Sequence, residues 1–342
     1  YVVNDDGSLG NRNDVKCVSI EEKLGIHASP TCVMAFGDED GAVGYLVGEE
    51  NRGLQYMFTM MNFARLEVGI EGLAISERSY QRAAEFAKGR VQGRAIGKGS
   101  GDRVSIIHHP DVRRMLLTMK SQIEAMRALT LQTCLHLDLA MAHSDDAERV
   151  NHQNMFDLLT PVVKGWCTEQ SIEITSLGIQ VHGGMGFVEE TGAAQYLRDA
   201  RIAPIYEGTT GIQANDLIGR KVAAEQGVTA FRLISSMRDT INQLDTFEGH
   251  SGLQTIKEKL QSAVDSLEQA VNWVVETYLD DPERASAGSV PLLKLFGTVS
   301  GGWMLARSAI LAKKRLDDGV EKSRFYRGKL ATCRFYSENI LP

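Results

Sequence analysis

The feature that most constrains the fold is a spacing of three and four residues between apolar side chains. It is clear from Leu54 to Val68, from Val112 to Met126 and from Met155 to Trp166. Residues at these spacings lie on one face of an α-helix, so each stretch predicts a helix with one buried face. The first helix is predicted to run to about Lys88. Long antiparallel helices in a bundle are the simplest arrangement.

The first 49 residues have a different pattern, rich in Gly, Asp and Asn. Short β-prone runs at Val15 to Ile20 and Cys32 to Phe36 are separated by turn residues, which predicts part of a small central β-domain at residues 1–49. Because Tyr1 opens a strand-like segment, we expect further chain before it. The glycine-rich residues 89–109 have little periodicity and predict a loop.

The helical pattern returns after residue 225 and predicts a C-terminal extension at residues 225–342, separate from the bundle at residues 50–224. One of its helices is predicted to start at Ser289, with Pro291 in the first turn. The predicted fold class is therefore mainly α. It consists of an antiparallel helical bundle, preceded by the remnant of a small β-domain and followed by a helical extension.

Composition excludes several classes of function. A net charge of -7, with both signs mixed along the chain, gives no basic stripe for a nucleic acid. The five cysteines form no CxxC pair, which fits neither a disulfide framework nor a zinc site and favours a cytoplasmic location. The adjacent His108 and His109 are wrongly spaced for two metal ligands on one helix face, so no metal is predicted. The sequence contains no run of about 18 uncharged apolar residues, so it predicts no membrane span.

Residues 180–213, QVHGGMGFVEETGAAQYLRDARIAPIYEGTTGIQ, interrupt the helical pattern. Glycines at Gly183 and Gly184 would let the backbone approach a phosphate or a flat ring, although alone they fit a flexible loop better. Glu207 has no basic residue within two positions on either side. Such a setting could desolvate a carboxylate, as a general base near neutral pH requires, although alone an exposed loop glutamate is the simpler interpretation.

The order and spacing of the motifs QxxGGxGF, LRDARI and YEGT favour a functional role for these residues over a plain loop. Together they resemble the acyl-CoA dehydrogenase family, over roughly residues 1–220. The upstream runs LVGE at residues 46–49 and MNFAR at residues 61–65 are similar to the same family. The RVQGR and HHPDVRR runs and the helical extension resemble a subgroup that includes 3-methylmercaptopropionyl-CoA dehydrogenases.

The resemblance implies an oxidoreductase that binds FAD and converts an acyl-CoA thioester to a trans-2-enoyl-CoA. Glu207 matches the family's catalytic base, which takes the α-proton while the β-hydride moves to flavin N5. Some members carry the base on the first bundle helix instead, but that position is Ala64 here, which cannot take a proton. The implied substrate is 3-methylmercaptopropionyl-CoA or another short- or medium-chain acyl-CoA.

Further roles follow from the same resemblance. Three residues match substrate contacts: the Gly208 amide at the thioester carbonyl, and Asn62 and Arg65 near the CoA moiety. The residues that match FAD contacts are Thr209, Gln180, Gly183, Gly184 and Arg90. Without the resemblance, both arginines would be read as solvated helix residues.

Gln180, Gly183, Gly184 and Arg90 match residues that serve the FAD of a neighbouring subunit, so the resemblance implies a homodimer or homotetramer. It also implies that electrons leave to an electron-transfer flavoprotein. Two alternatives stay open. One is an acyl-CoA oxidase, which reoxidises its flavin with oxygen, and the other is a catalytically silent binding protein on the same scaffold.

Overall fold

A computed structural model describes residues 1–97, 101–247, 249–319 and 321–342. They form two compact units, Tyr1–Met61 and Asn62–Pro342. Most of the described residues are helical, so the predicted fold class is confirmed.

The first unit contains an antiparallel strand pair, β1 (Val15–Ile20) and β2 (Cys32–Phe36). The register runs from Val15 opposite Phe36 to Ile20 opposite Cys32, with an irregularity between Cys17 and Ser19. Both strands were predicted, and their bounds are confirmed. β-branched residues between turn residues are a sufficient local signal for such a pair.

Three long helices follow the pattern of the sequence. They are α1 (Gly53–Gly89), which crosses the division between the units, α2 (Pro110–Ala142) and α3 (Asp146–His182). Asp145 caps α3 by accepting hydrogen bonds from the backbone N–H groups of Ala147 and Glu148. The predicted helix from Leu54 to about Lys88 is confirmed as α1.

The prediction of a loop at residues 89–109 was wrong in part. An antiparallel strand pair lies there, β3 (Val91–Arg94) and β4 (Arg103–Ser105), followed by a 3₁₀ turn at Ile106–His108. Residues 98–100 of that stretch lie outside the described residues. Strands of three or four residues in a glycine-rich stretch are too short to show an alternating pattern.

After α3 the chain forms 3₁₀ turns at Gly183–Phe187 and Glu189–Thr191, then the short helices α4 (Ala193–Ala200) and α5 (Thr210–Asn215) and a π-helix at Asp216–Ala223. The extension contains α6 (Val228–Asp245), α7 (Ser251–Tyr278), α8 (Pro282–Ala287), α9 (Ser289–Asp317) and α10 (Ser323–Asn339). The predicted start of a helix at Ser289 is confirmed as α9.

The extension packs directly on the bundle. A Cβ atom at Gly297 of α9 would lie 2.2 Å from Cγ of Trp166 in α3, and one at Gly301 would lie 2.9 Å from Cη2 of the same ring. The indole is 2% exposed and belongs to one hydrophobic core with side chains of α2, α3 and α9. Residues 225–342 are therefore part of the second compact unit, not a separate appendage.

A close crossing of α1 and α3 positions the candidate site. A Cβ atom at Gly69 would lie 2.6 Å from Cγ1 of Val163, and one at Gly72 would lie 3.0 Å from the carbonyl oxygen of Cys167. Only glycine permits so short a distance between the two helices. The crossing brings Arg65 and Glu71, which flank Gly69 on α1, near Lys164 on α3.

Candidate active site

The candidate site is built around the turn between α4 and α5. Glu207 has φ +55° and Gly208 has φ +93°, so two successive residues are in the left-handed region. Glycine adopts this region freely, whereas for glutamate it is strained. Strain of this kind persists only where surrounding contacts hold it, and it clusters at functional sites.

Two buried side chains hold the carbonyl groups of this turn. Lys164 Nζ donates a hydrogen bond to the Gly208 carbonyl oxygen at 2.6 Å. Gln213 Nε2 donates to the carbonyl oxygens of Glu207 and Gly208, at 3.3 and 3.4 Å. Both donors belong to residues that are 0% exposed. The turn is therefore anchored from the inside through its backbone.

The direction of these carbonyl groups fixes the direction of the amides. In a planar trans peptide the C=O and N–H groups point in opposite directions, so the Gly208 N–H points away from Gln213. Among the described residues nothing accepts a hydrogen bond from the Gly208 N–H. The Glu207 carboxylate likewise has no hydrogen bond or ion pair within the described parts of the chain, and Glu207 is half-buried. The turn thus offers one carboxylate and one free amide donor.

The residues on either side of Glu207 and Gly208 are also fixed. The Tyr206 hydroxyl donates to the Glu71 carboxylate on α1, and burial followed by this bond raises the pKa of Tyr206. Thr210 Oγ1 donates to Glu169 of α3 at 2.5 Å. Thr209 caps α5 by accepting from the backbone N–H of Ile212 at 3.3 Å. The turn is held to α1 and α3 by side chains that the sequence analysis did not identify.

Lys164 is the most important residue that the sequence analysis missed. It is 0% exposed, and burial followed by repulsion from Arg65 lowers the pKa of Lys164 to about 8. The carboxylates of Glu207, Glu169 and Glu71 act in the opposite direction. A lone lysine inside the apolar run from Pro161 to Cys167 was the available signal, because lysine is almost never fully buried without a specific partner.

The pKa of Lys164 predicts how stability changes with pH. The folded state gives up this proton near pH 8 and the unfolded state near pH 10.5, so between these values the unfolded state binds more protons and stability rises with pH. Relative to Lys164→Met, the full-length protein should gain up to about 3 kcal/mol between pH 7 and pH 10.5. Urea unfolding at both pH values measures this. Lys164→Arg, which stays charged, should show no such gain, and a pH-independent difference would contradict the prediction.

Arg65 is buried in an ion pair rather than solvated. It is 7% exposed, and its Nη1 lies 3.3 Å from Oδ2 of Asp216 in the π-helix. Asp216 also accepts a hydrogen bond from Nε of Arg220 at 2.6 Å. Nε of Arg65 is buried with no hydrogen-bond partner among the described residues. Asn62, three residues earlier on α1, is half-buried.

Most of the predicted cofactor residues line one cavity of about 530 Å³. Arg90, Gln180, Gly183 and Gly184 lie around it, and Thr209 does not. A Cβ atom at either glycine would meet nothing within 4 Å, so open space adjoins the backbone there. The wall also includes Gln92 and His109, which the sequence analysis did not assign. Nε2 of His109 lies 2.7 Å from the Gln92 carbonyl oxygen.

Within residues 1–97, 101–247, 249–319 and 321–342, no group of three or more His, Cys, Asp or Glu side chains could hold a metal ion. In the same ranges, no helix has the length and apolar character needed to span a membrane.

Two solved structures share the fold of this chain. Caenorhabditis elegans ACDH-11, solved in complex with C11-CoA, superposes with a TM-score of 0.77 at 21% identity, over 98% of this chain and 55% of that one. A Bacillus anthracis acyl-CoA dehydrogenase, solved with FAD, superposes with a TM-score of 0.74 at 18% identity, over 96% and 55% of the two chains. The fold is that of the corresponding part of an acyl-CoA dehydrogenase.

Sequence comparison assigns the family. The family described as "Acyl-CoA dehydrogenase, C-terminal domain" matches residues 51–223, and "Acetyl-CoA dehydrogenase C-terminal like" matches residues 233–342. This chain belongs to the acyl-CoA dehydrogenase family.

Two curated relatives show how much of a family member this chain represents. It is 48% identical to the 3-methylmercaptopropionyl-CoA dehydrogenase of Ruegeria pomeroyi, over 98% of this chain and 56% of the relative. It is 36% identical to the broad-specificity linear acyl-CoA dehydrogenase FadE5 of Mycobacterium tuberculosis, over 98% and 57%. The chain therefore spans little more than half the length of these relatives.

Proposed function

We propose that the full-length protein containing this chain is an FAD-dependent acyl-CoA dehydrogenase that forms a trans-2-enoyl-CoA. The observation that carries this proposal is the strained turn at Glu207 and Gly208. Its carbonyl groups bind Lys164 and Gln213, while its carboxylate and the Gly208 N–H have no partner among the described residues. A base beside an amide donor is what α-proton removal from a thioester requires.

The two groups have distinct roles in the proposed reaction. The Glu207 carboxylate removes the α-proton, and negative charge develops on the thioester carbonyl oxygen. The Gly208 N–H donates a hydrogen bond to that oxygen. Because Gln213 and Lys164 fix the turn before the substrate arrives, the donor needs little reorganisation during the reaction. FAD, when held by the residues assigned to it below, would supply the hydride acceptor for the β-hydrogen.

We assign the cavity beside α3 to the adenosine and pyrophosphate end of FAD. The Arg90 guanidinium can bind a phosphate through two hydrogen bonds, and no carboxylate pairs with it among the described residues. Open space beside Gly183 and Gly184 lets a ligand approach their backbone amides. We assign Arg90, Gln180, Gly183 and Gly184 to the FAD of a neighbouring subunit, in a homodimer or homotetramer. Thr209 is assigned to FAD in its own subunit.

The proposed substrate is 3-methylmercaptopropionyl-CoA or another short- or medium-chain acyl-CoA. The 48% identity to a 3-methylmercaptopropionyl-CoA dehydrogenase supports this choice, as does 34% identity to a butyryl-CoA dehydrogenase of Syntrophomonas wolfei. Asn62 and Arg65 are assigned to the CoA side of the site. The proposed electron acceptor is an electron-transfer flavoprotein, and the proposed location is the cytoplasm.

The proposal is tested by mixing the full-length flavoprotein anaerobically with saturated acyl-CoA thioesters. 3-Methylmercaptopropionyl-CoA and butyryl-CoA should bleach the flavin, and mass spectrometry should show the 2-enoyl-CoA products. Absence of bleaching with every thioester would favour a silent binding protein. Stoichiometric hydrogen peroxide under air, with the same products, would identify an acyl-CoA oxidase instead.

A further inference from the structure

A buried lysine contacts the turn that carries the proposed base, and the proposed reaction gives it no role. Lys164 has no exposed surface, so it cannot contact the substrate. Its Nζ is nevertheless 2.6 Å from the carbonyl oxygen of Gly208, the residue that supplies the proposed amide donor. We propose that Lys164 is a positioning residue for α-proton removal, acting through the backbone and the charge of the Glu207–Gly208 turn. This inference rests on the proposed function.

The hydrogen bond explains how a left-handed turn is kept in place. The ammonium group draws the Gly208 carbonyl inward, so the Thr209 N–H of the same planar peptide points away from it. Gln213 Nε2 donates to the carbonyl oxygen of the preceding peptide, that of Glu207, at 3.3 Å, and also to the Gly208 carbonyl oxygen at 3.4 Å. Hydrogen bonds from charged donors are about twice as strong as neutral ones, so Lys164 is the main anchor.

The charge of Lys164 acts on the reaction itself. In the proposed step the Cα–H bond breaks, its electron pair moves towards the thioester carbonyl, and the proton goes to the Glu207 carboxylate. A buried cation favours the negative charge that develops on the carbonyl oxygen. The charged side chains that act on Lys164 are Arg65 and Glu71 from α1, Glu169 from α3 and Glu207 from the turn.

The surroundings keep this cation from being neutralised by a direct ion pair. Arg65, the other buried cation nearby, is paired with Asp216. Lys164 has no carboxylate within ion-pair distance among the described residues, and its Nζ donates a hydrogen bond to a carbonyl oxygen. The charge of Lys164 therefore acts on the Glu207–Gly208 turn, through the hydrogen bond to the Gly208 carbonyl oxygen. A lysine used only to fill space would be replaced without loss by an apolar side chain of similar length.

The test uses the full-length flavoprotein and methylthioacetyl-CoA, in which sulfur replaces the β-carbon. This thioester has α-protons but no β-hydride to lose, so deuterium uptake from D₂O reports proton removal alone. Lys164→Met should slow deuterium uptake by about 10- to 100-fold, as expected for loss of a hydrogen bond from a charged donor. The dissociation constant, from the flavin spectrum, should change by less than about threefold, because no direct substrate contact is lost.

The pH profile distinguishes positioning from general structural support. In the unaltered protein, deuterium uptake should fall as pH rises through about 8, where Lys164 loses its charge. Lys164→Arg should keep partial activity and lose this alkaline decline, because the guanidinium stays charged. Lys329→Met, which removes a partly buried lysine on α10, should behave like the unaltered protein. Unchanged uptake and pH profile in Lys164→Met would overturn the inference.

Failure of the proposed function has a different outcome. If the unaltered flavoprotein takes up no deuterium into methylthioacetyl-CoA and its flavin is not bleached by any acyl-CoA, the proposed function is wrong and this inference falls with it. If the unaltered protein exchanges and Lys164→Met exchanges equally fast, the function stands and only the role of Lys164 is wrong. Should Lys164→Met not fold, the alkaline decline of the unaltered protein and its absence in Lys164→Arg decide the question.

Discussion

Flavin reduction by a saturated acyl-CoA should slow by at least about 10²- to 10⁴-fold in Glu207→Gln of the full-length protein, the range typical of general base catalysis. Glutamine keeps the size and hydrogen-bonding capacity of the side chain but cannot take up the α-proton. FAD content and acyl-CoA binding should be unchanged. Stopped-flow absorbance measures the reduction rate, and flavin perturbation by a 2-enoyl-CoA measures binding.

The control for this substitution is Glu190→Gln, which alters an exposed glutamate in the same irregular segment. It should reduce flavin at the unaltered rate. If Glu207→Gln also reduces its flavin at close to that rate, Glu207 is not the base. Another side chain would then have to serve as the base, because Ala64, at the alternative position in the family's pattern, cannot take a proton.

Replacing Asp216 with Asn should destabilise the second compact unit by about 3–5 kcal/mol, the usual cost of leaving one member of a buried ion pair without its partner. The side chains of Arg65 and Asp216 are 8% and 5% exposed. Without the carboxylate, the Arg65 guanidinium would stay buried beside Lys164 with no anion to offset its charge. The urea concentration at the midpoint of unfolding measures the loss.

Two matched variants test whether the loss of stability comes from leaving buried Arg65 unpaired, and not simply from removing a charge at this site. Arg220 pairs with the same carboxylate, but its side chain is 63% exposed, so Arg220→Gln should cost no more than about 1 kcal/mol. The double variant Arg65→Met with Asp216→Leu removes both buried charges and should recover most of the stability lost in Asp216→Asn. If the free energy of unfolding of Asp216→Asn lies within about 1 kcal/mol of that of the unaltered protein, another group compensates the charge of Arg65.

Several parts of the protein were determined by local sequence. The strands at Val15–Ile20 and Cys32–Phe36, the long helix from about Leu54 and the start of α9 at Ser289 were predicted from periodicity, turn residues and capping. Each of these signals lies within one element, where side-chain spacing and backbone preference act over a few residues. Family membership was likewise carried by short motifs in order, and the comparisons confirm it.

The arrangement of the site was decided only by the tertiary structure. The bond from Lys164 to Gly208 joins residues 44 positions apart, and the ion pair from Arg65 to Asp216 joins residues 151 positions apart. Periodicity indicates which face of a helix is buried but not which helix covers it. Here the contacts depend on Gly69 and Gly72, which let α1 approach α3 closely, and on Gly297, which lets α9 pack against Trp166. The motif resemblance therefore led us to propose Glu207 as the base, whereas the contact of buried Lys164 with its turn became visible only when the helices were packed together.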